Sequence, residues 1–154
     1  LYVEVKVGPE IVPELVRIFQ SVPKAAQQVI VISFHFDVLA MLKQQFPAVP
    51  VYQIVELKRS AADPNQIVPP VAALIAPAKA AGFEGLDFGG TALLDESYVA
   101  PLLATNFRLC TWTINDPQEA RRLERLGIHA ITTDFPGKLR DQGPGVGDQG
   151  KKES

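Results

Sequence analysis

The chain has 154 residues, of which 47% are hydrophobic and 21% are charged, and its formal net charge is −2. This composition suits one globular domain, and the scattered basic residues do not form a nucleic-acid-binding surface. No apolar run approaches the roughly 18 residues of a membrane span. The single cysteine, Cys110, excludes an internal disulfide and a multi-cysteine metal site, and it is compatible with a reducing compartment such as the cytoplasm.

The first seven residues have the alternating side-chain pattern of a complete β-strand. The sequence starts directly with this strand and has no initial methionine. No signal-peptide pattern precedes it in this sequence. We therefore expect the chain to be part of a longer protein.

Apolar and β-branched runs predict six strands that alternate with five helices. We place the strands at residues 1–7, 29–32, 50–55, 85–88, 108–114 and 128–133. We place the helices at residues 10–22, 38–46, 71–81, 96–103 and 117–126.

Capping residues mark several of these helix boundaries. Asp37, Asp95 and Asp116 each stand where a side-chain oxygen can cap a helix amino terminus. Gly82 and Gly127 stand where helices commonly end.

Three segments interrupt the regular pattern. Residues 58–69 contain an Asp-Pro-Asn sequence and are predicted to form a loop. Pro77 should kink or break its helix, because proline lacks the backbone N–H and clashes with the preceding turn. Residues 138–154 are rich in Gly, Asp and Gln and are predicted to be a disordered tail after a folded domain at 1–137.

Alternating strands and helices predict an α/β fold with a parallel sheet. An open doubly wound sheet and a (β/α)8 barrel both fit this repeat, and the repeat alone does not separate them. A barrel has eight strands, so about six strands would form an incomplete barrel.

Glu4 and Lys6 share one face of the first strand, because successive side chains alternate between faces. One interpretation is a partly exposed surface salt bridge. The other is a metal-binding carboxylate beside a lysine that binds phosphate, since buried charges need a partner or a bound ion.

Trp112 is the only tryptophan of the chain, and it lies near the carboxyl end of a predicted strand. Parallel barrels build their active sites at that end of the strands. The side chain is either a large core aromatic or an apolar wall against a small organic group.

Four short motifs resemble those of the glycerophosphodiester phosphodiesterase family. Residues 3–6, Val-Glu-Val-Lys, are similar to the family's Ile-Glu-Ile-Lys strand. Residues 31–34 resemble its strand ending in Ser-Phe, and residues 112–116 its Trp-Thr-Val-Asn segment. Residues 130–136 are similar to its closing Gly-Ile-Ile-Thr-Asp-x-Pro. The motifs follow one another in the family's order.

The resemblance implies that residues 1–137 are the carboxyl-terminal part of a (β/α)8 barrel. Such enzymes hydrolyse glycerophosphodiesters to an alcohol and glycerol 3-phosphate with a divalent metal, commonly Ca²⁺ or Mg²⁺. By position, Glu4 would be a metal ligand and Lys6 a catalytic residue beside the phosphate. Trp112 would contact the glycerol side of the substrate.

The family's His-Arg-Gly motif, two further metal-binding acids and a second histidine have no counterpart in this sequence. His35 and His129 do not match the family's histidines, and we expect both to be structural or at the surface. Asp87 could face the site, although the sequence favours a position outside it. We therefore expect this chain alone to be inactive.

Two alternatives stay open at this point. A related phosphodiesterase of the phosphatidylinositol-specific phospholipase C type would share the barrel and the use of a metal with histidine. A truncated barrel without activity would act as a binding or structural module, and its exposed sheet edges would need to be covered.

Overall fold

The structure is a computed structural model, and it describes residues 1–140. The strands in this part of the chain are β1 (Tyr2–Glu4), β2 (Ile30–Ser33), β3 (Val51–Glu56), β4 (Lys58–Arg59), β5 (Ile67–Val68), β6 (Gly85–Gly89), β7 (Arg108–Thr111) and β8 (Ala130–Ile131). The helices are α1 (Val12–Ser21), α2 (Pro23–Ala26), α3 (Phe36–Gln45), α4 (Val71–Ala80), α5 (Glu96–Leu103), α6 (Pro117–Arg125) and α7 (Pro136–Arg140).

Six of the strands form one parallel sheet in the order β1-β2-β3-β6-β7-β8. This order follows the chain without reversal, whereas a doubly wound sheet reverses at its switch point. Because crossovers between parallel strands are right-handed, an unreversed order places the connecting helices on one face. The topology therefore selects the barrel over the doubly wound alternative.

The sheet is strongly curled. Tyr2 Oη lies 3.4 Å from Cys110 Sγ, although β2, β3 and β6 lie between the strands that carry these two residues. Four strand spacings of about 4.8 Å would separate β1 from β7 by about 19 Å in a flat sheet. The contact across the concave face confirms the predicted incomplete (β/α)8 barrel.

The outer face of the sheet packs against the helices and forms the core. The outward side chains of the strands belong mainly to apolar residues, because the helices leave that face no access to water. Fully buried members of this core include Val31, Leu86, Phe88 and Leu109 from the strands and Val38, Leu39, Leu42, Leu102 and Leu123 from the helices.

Two of the three predicted caps are confirmed. Asp95 accepts a hydrogen bond from the Tyr98 N–H, and Asp116 accepts one from the Gln118 N–H. The prediction for Asp37 is wrong, because α3 begins at Phe36 and Asp37 already lies within its first turn.

Several segments differ from their prediction. Strands β4 and β5 pair antiparallel inside the segment that is predicted to be a loop. Each strand has only two residues, which is too short for a hydrophobic period to be recognised in the sequence. Helix α4 continues through Pro77 to Ala80, so Pro77 does not break the helix, and the alternative of a kink stays a prediction. Pro77 lies in the last turn, where the buried neighbour Ala78 holds the helix on the core. Residues 138–140 of the predicted tail belong to α7, and the remainder of that tail lies outside the described residues.

Polar groups at the amino ends of the strands are paired. Lys43 Nζ lies 2.5 Å from Glu84 Oε1, and Glu84 Oε2 accepts a hydrogen bond of 2.9 Å from the Val51 N–H. His129 Nδ1 accepts a hydrogen bond of 3.0 Å from the Leu109 N–H. These contacts join neighbouring elements at one end of the barrel.

Candidate active site

A cleft of about 430 Å³ opens on the concave face of the sheet, at the carboxyl ends of the strands. The side chains that line it come from several strands and from the residues that directly follow them. They include Glu4, Lys6, Phe34, Asp87, Trp112 and Thr132. The curl of the barrel thus gathers residues that are far apart in sequence.

Glu4 and Lys6 both line this cleft, as the alternation of the first strand predicts. Lys6 Nζ lies 3.4 Å from Glu4 Oε2, with 76% of the lysine side chain and 33% of the glutamate side chain exposed. Such a solvated pair contributes at most about 1 kcal/mol to stability. The pair is therefore not needed to hold the fold, and both charges are available to a ligand.

Val5, between these two residues, is held from the neighbouring strand. Ser33 Oγ donates a hydrogen bond of 2.7 Å to the Val5 carbonyl and accepts one of 3.0 Å from the His35 N–H. Ser33 is fully buried. Its hydroxyl is thus engaged in fixing the end of β1 rather than available as a nucleophile.

Asp87 lies on β6 and points into the cleft, with only 2% of its surface exposed. Its Oδ1 atom is buried and has no hydrogen-bond partner. Burial, with a smaller effect of the negative charge on Glu4, raises the pKa of the Asp87 carboxyl to about 6. A buried carboxyl without a partner is costly, so its presence in the cleft needs an explanation.

Trp112 follows β7 and forms one wall of the cleft. A Cβ atom at Gly89 would lie 2.7 Å from the indole ring, so the absence of a side chain at Gly89 makes room for it. Phe34 packs edge-on against the indole, with ring centroids 6.1 Å apart. The indole Nε1 atom is buried and has no hydrogen-bond partner.

Hydrogen bonds of the Asn115 side chain join the segment after β7 to the segment after β8. Asn115 Oδ1 accepts hydrogen bonds from Thr133 Oγ1 and from the Asp134 N–H, both of 3.0 Å. Asn115 Nδ2 donates a bond of 2.8 Å to Asp134 Oδ2. Asn115 of one motif is therefore paired with Thr133 and Asp134 of the other, and these bonds fix the chain that carries Trp112.

Neither histidine lies in the cleft. His129 is at the opposite end of the barrel, with Nδ1 bonded to the backbone. His35 is exposed at the start of α3 and makes no side-chain capping bond. Both positions agree with the predicted structural or surface roles.

No group of three or more His, Cys, Asp or Glu side chains among residues 1–140 is arranged to hold a metal ion. Glu4 and Asp87 are the two carboxylates that line the cleft. The described part of the chain also holds no helix that is long and apolar enough to cross a membrane.

Asp87 is the cleft residue that sequence reasoning placed outside the site. The signal was present, because Leu86 and Phe88 are apolar and face the helices, so strand alternation turns Asp87 to the other face. The packing of Trp112 on Gly89 could not be predicted, since a contact between β6 and Trp112 has no signature in the sequence.

Solved structures of glycerophosphodiester phosphodiesterases share this fold. A phosphodiesterase from Parabacteroides distasonis is 22% identical, with a TM-score of 0.66 over 92% of this chain and 56% of its own. One from Silicibacter pomeroyi is 20% identical, with a TM-score of 0.71 over 90% of this chain and 48% of its own. A phosphodiesterase from Oleispira antarctica, solved with the product sn-glycerol 3-phosphate, is 20% identical, with a TM-score of 0.67 over 90% of this chain and 52% of its own.

The chain therefore spans about half the length of the solved structures that it matches. No curated protein matches it significantly. The model of the glycerophosphoryl diester phosphodiesterase family matches residues 2–138. This match covers most of the sequence, and the chain belongs to the glycerophosphoryl diester phosphodiesterase family.

Proposed function

We propose that this chain contributes the carboxyl-terminal part of the active site of a metal-dependent glycerophosphodiester phosphodiesterase. The observation that carries the proposal is the convergence of Glu4, Lys6 and Trp112 on one cleft at the carboxyl ends of barrel strands. The bound sn-glycerol 3-phosphate of the Oleispira structure supports a glycerophosphodiester as the substrate class.

Glu4 is the residue that would hold the metal. Its carboxylate is a hard oxygen donor that faces the cleft, which suits Ca²⁺ or Mg²⁺. These ions take about six or more oxygen ligands, so Glu4 fits as one ligand among several. When bound, the ion supplies Lewis-acid polarisation of a phosphoryl oxygen.

Lys6 supplies positive charge beside the phosphate. Its ammonium group is largely exposed and only loosely paired with Glu4, so it can turn toward an anionic ligand without breaking a structural contact. A positive charge placed beside the phosphate offsets the negative charge that develops on the phosphoryl oxygens. Trp112 offers an apolar face to the carbon chain of the glycerol unit.

Protonation of the leaving alcohol needs a general acid. Within residues 1–140 neither histidine reaches the cleft. We therefore expect the 154-residue chain to show no turnover of glycerophosphocholine with Ca²⁺ or Mg²⁺, measured by release of glycerol 3-phosphate. Robust turnover that disappears in Glu4→Ala would show that the chain itself carries a complete site.

The coding sequence upstream of Leu1 provides the test of the activity itself. We expect it to encode a His-Arg-Gly motif followed by a Glu-x-Asp strand, and the longer protein to release free glycerol 3-phosphate. Substitution Glu4→Gln should abolish that release. A cyclic phosphate product would instead support a phospholipase C type of reaction. A longer protein without the motif and without activity would support a binding or structural module.

A further inference from the structure

Asp87 and Trp112 both line the cleft, and each has a buried polar atom without a hydrogen-bond partner. Among the described residues, three buried side-chain atoms lack a hydrogen-bond partner: Asp87 Oδ1, Thr111 Oγ1 and Trp112 Nε1. Two of the three belong to residues that line the cleft. Natural proteins leave few buried polar groups unpaired, so two in one cleft point to a ligand that satisfies them.

The two atoms are chemically complementary. The indole N–H can only donate a hydrogen bond, whereas a carboxylate oxygen accepts one. A hydroxyl group does both, and a pair of adjacent hydroxyl groups can engage both atoms together. Both atoms are shielded from water in this arrangement, so side-chain rotation of the kind common on binding would have to present them to the ligand.

The position of the pair fits a phosphate ester of a polyol. Lys6 lines the same cleft and offers its ammonium group to the phosphate. Asp87 on β6 and Trp112 directly after β7 lie farther along the sheet. A ligand that spans these residues has an anionic end and a hydroxyl-bearing end. Simple alkyl esters would leave the two polar atoms unpaired, which a binding site penalises.

We propose that Asp87 and the Trp112 indole N–H form a hydroxyl-binding pair that makes the cleft selective for polyol phosphates over alkyl phosphates. The inference rests on the proposed function and extends it, because it assigns a specificity role to Asp87. Phosphate binding and hydroxyl binding involve different residues, so an experiment can contradict the hydroxyl-binding pair without contradicting the proposed function.

The single tryptophan makes the test direct, because the chain gives one indole N–H signal in a ¹⁵N-resolved NMR spectrum. The 154-residue chain is titrated with sn-glycerol 3-phosphate and with n-propyl phosphate, which has the same carbon count but no hydroxyl groups. We expect the glycerol ester to move the indole signal and to bind at least about tenfold more tightly, the scale of one hydrogen bond.

Variants of Asp87 separate this role from a structural one. Asp87→Leu should remove the preference between the two esters. Asp87→Asn keeps a hydrogen-bond acceptor and should therefore retain most of the preference. It replaces the leucine variant in this test if Asp87→Leu does not fold. Asp63→Leu, in the exposed turn between β4 and β5, is the control and should behave as the wild type.

Equal binding of the two esters by the wild type would overturn the hydroxyl-binding pair and leave the phosphodiesterase proposal intact. A preference that survives in Asp87→Leu would also overturn it. Binding of neither ester would contradict both proposals, because the phosphate group is common to them. A Ca²⁺-induced change in the indole signal that is lost in Asp87→Asn would identify Asp87 as a metal ligand and overturn the pair.

Discussion

The two ends of the barrel differ in how completely their polar side chains are paired. At the amino ends of the strands, Lys43, Glu84 and His129 are each bonded to a neighbouring element. In the cleft at the carboxyl ends, Asp87 and Trp112 keep buried atoms without partners. The comparison teaches that the described polar groups at the amino end hold the fold, whereas two buried polar groups in the cleft carry a stability cost that a ligand can offset.

The largest effect is expected from Asp87. Its pKa is about 6 in the folded protein against an ordinary value of 3.8, so folding favours its protonated form. The contribution of Asp87 to the free energy of unfolding should therefore be highest below about pH 4, fall as the pH rises toward 6, and stay low above it. The difference corresponds to at most about 3 kcal/mol.

Asp87→Asn removes this titration. Its stability at pH 7 in the presence of EDTA should exceed that of the wild type, and the gain should shrink toward pH 4. Chemical denaturation at several pH values measures both quantities. A wild-type stability that rises between pH 4 and 6 relative to the variant would contradict the cost assigned to the cleft.

A smaller loss is expected at the opposite end. Glu84→Leu leaves the ammonium of Lys43, whose side chain is only 10% exposed, without its carboxylate and the Val51 N–H without its acceptor. We expect a destabilisation of about 2 kcal/mol in chemical denaturation. Glu14→Leu breaks an exposed pair with Arg17 and serves as the control, with no measurable change. Similar effects of the two variants would remove the distinction between a structural pair and a surface pair.

Gly89 tests how closely the cleft wall is packed. A methyl group there would lie 2.7 Å from the Trp112 ring, so Gly89→Ala should displace the indole, change its fluorescence and cost about 1 kcal/mol. Gly137→Ala is the matched control, because a Cβ atom at that position meets nothing within 4 Å. An unchanged emission spectrum in Gly89→Ala would show that the indole does not rest on β6.

The strands and their facing residues could be predicted because alternation is a local property. Glu4 and Lys6 follow from it, and Asp87 would have followed from the same rule. The closure of the sheet could not be predicted, because it depends on contacts such as that of Tyr2 with Cys110 across three intervening strands. The hydrogen bonds of Asn115 could not be predicted either, because they join two motifs that are brought together only when the strands lie side by side.

Titration of Trp112 fluorescence with sn-glycerol 3-phosphate tests most directly whether this cleft is a phosphate-ester site. We expect a saturable change in emission that is weakened about tenfold in Lys6→Met, the loss of one charge-assisted contact. Lys79→Met, which removes an exposed lysine near the end of α4, should titrate as the wild type does. Identical titrations of the wild type and Lys6→Met, or no change in emission with any of the three proteins, would contradict the assignment of the site.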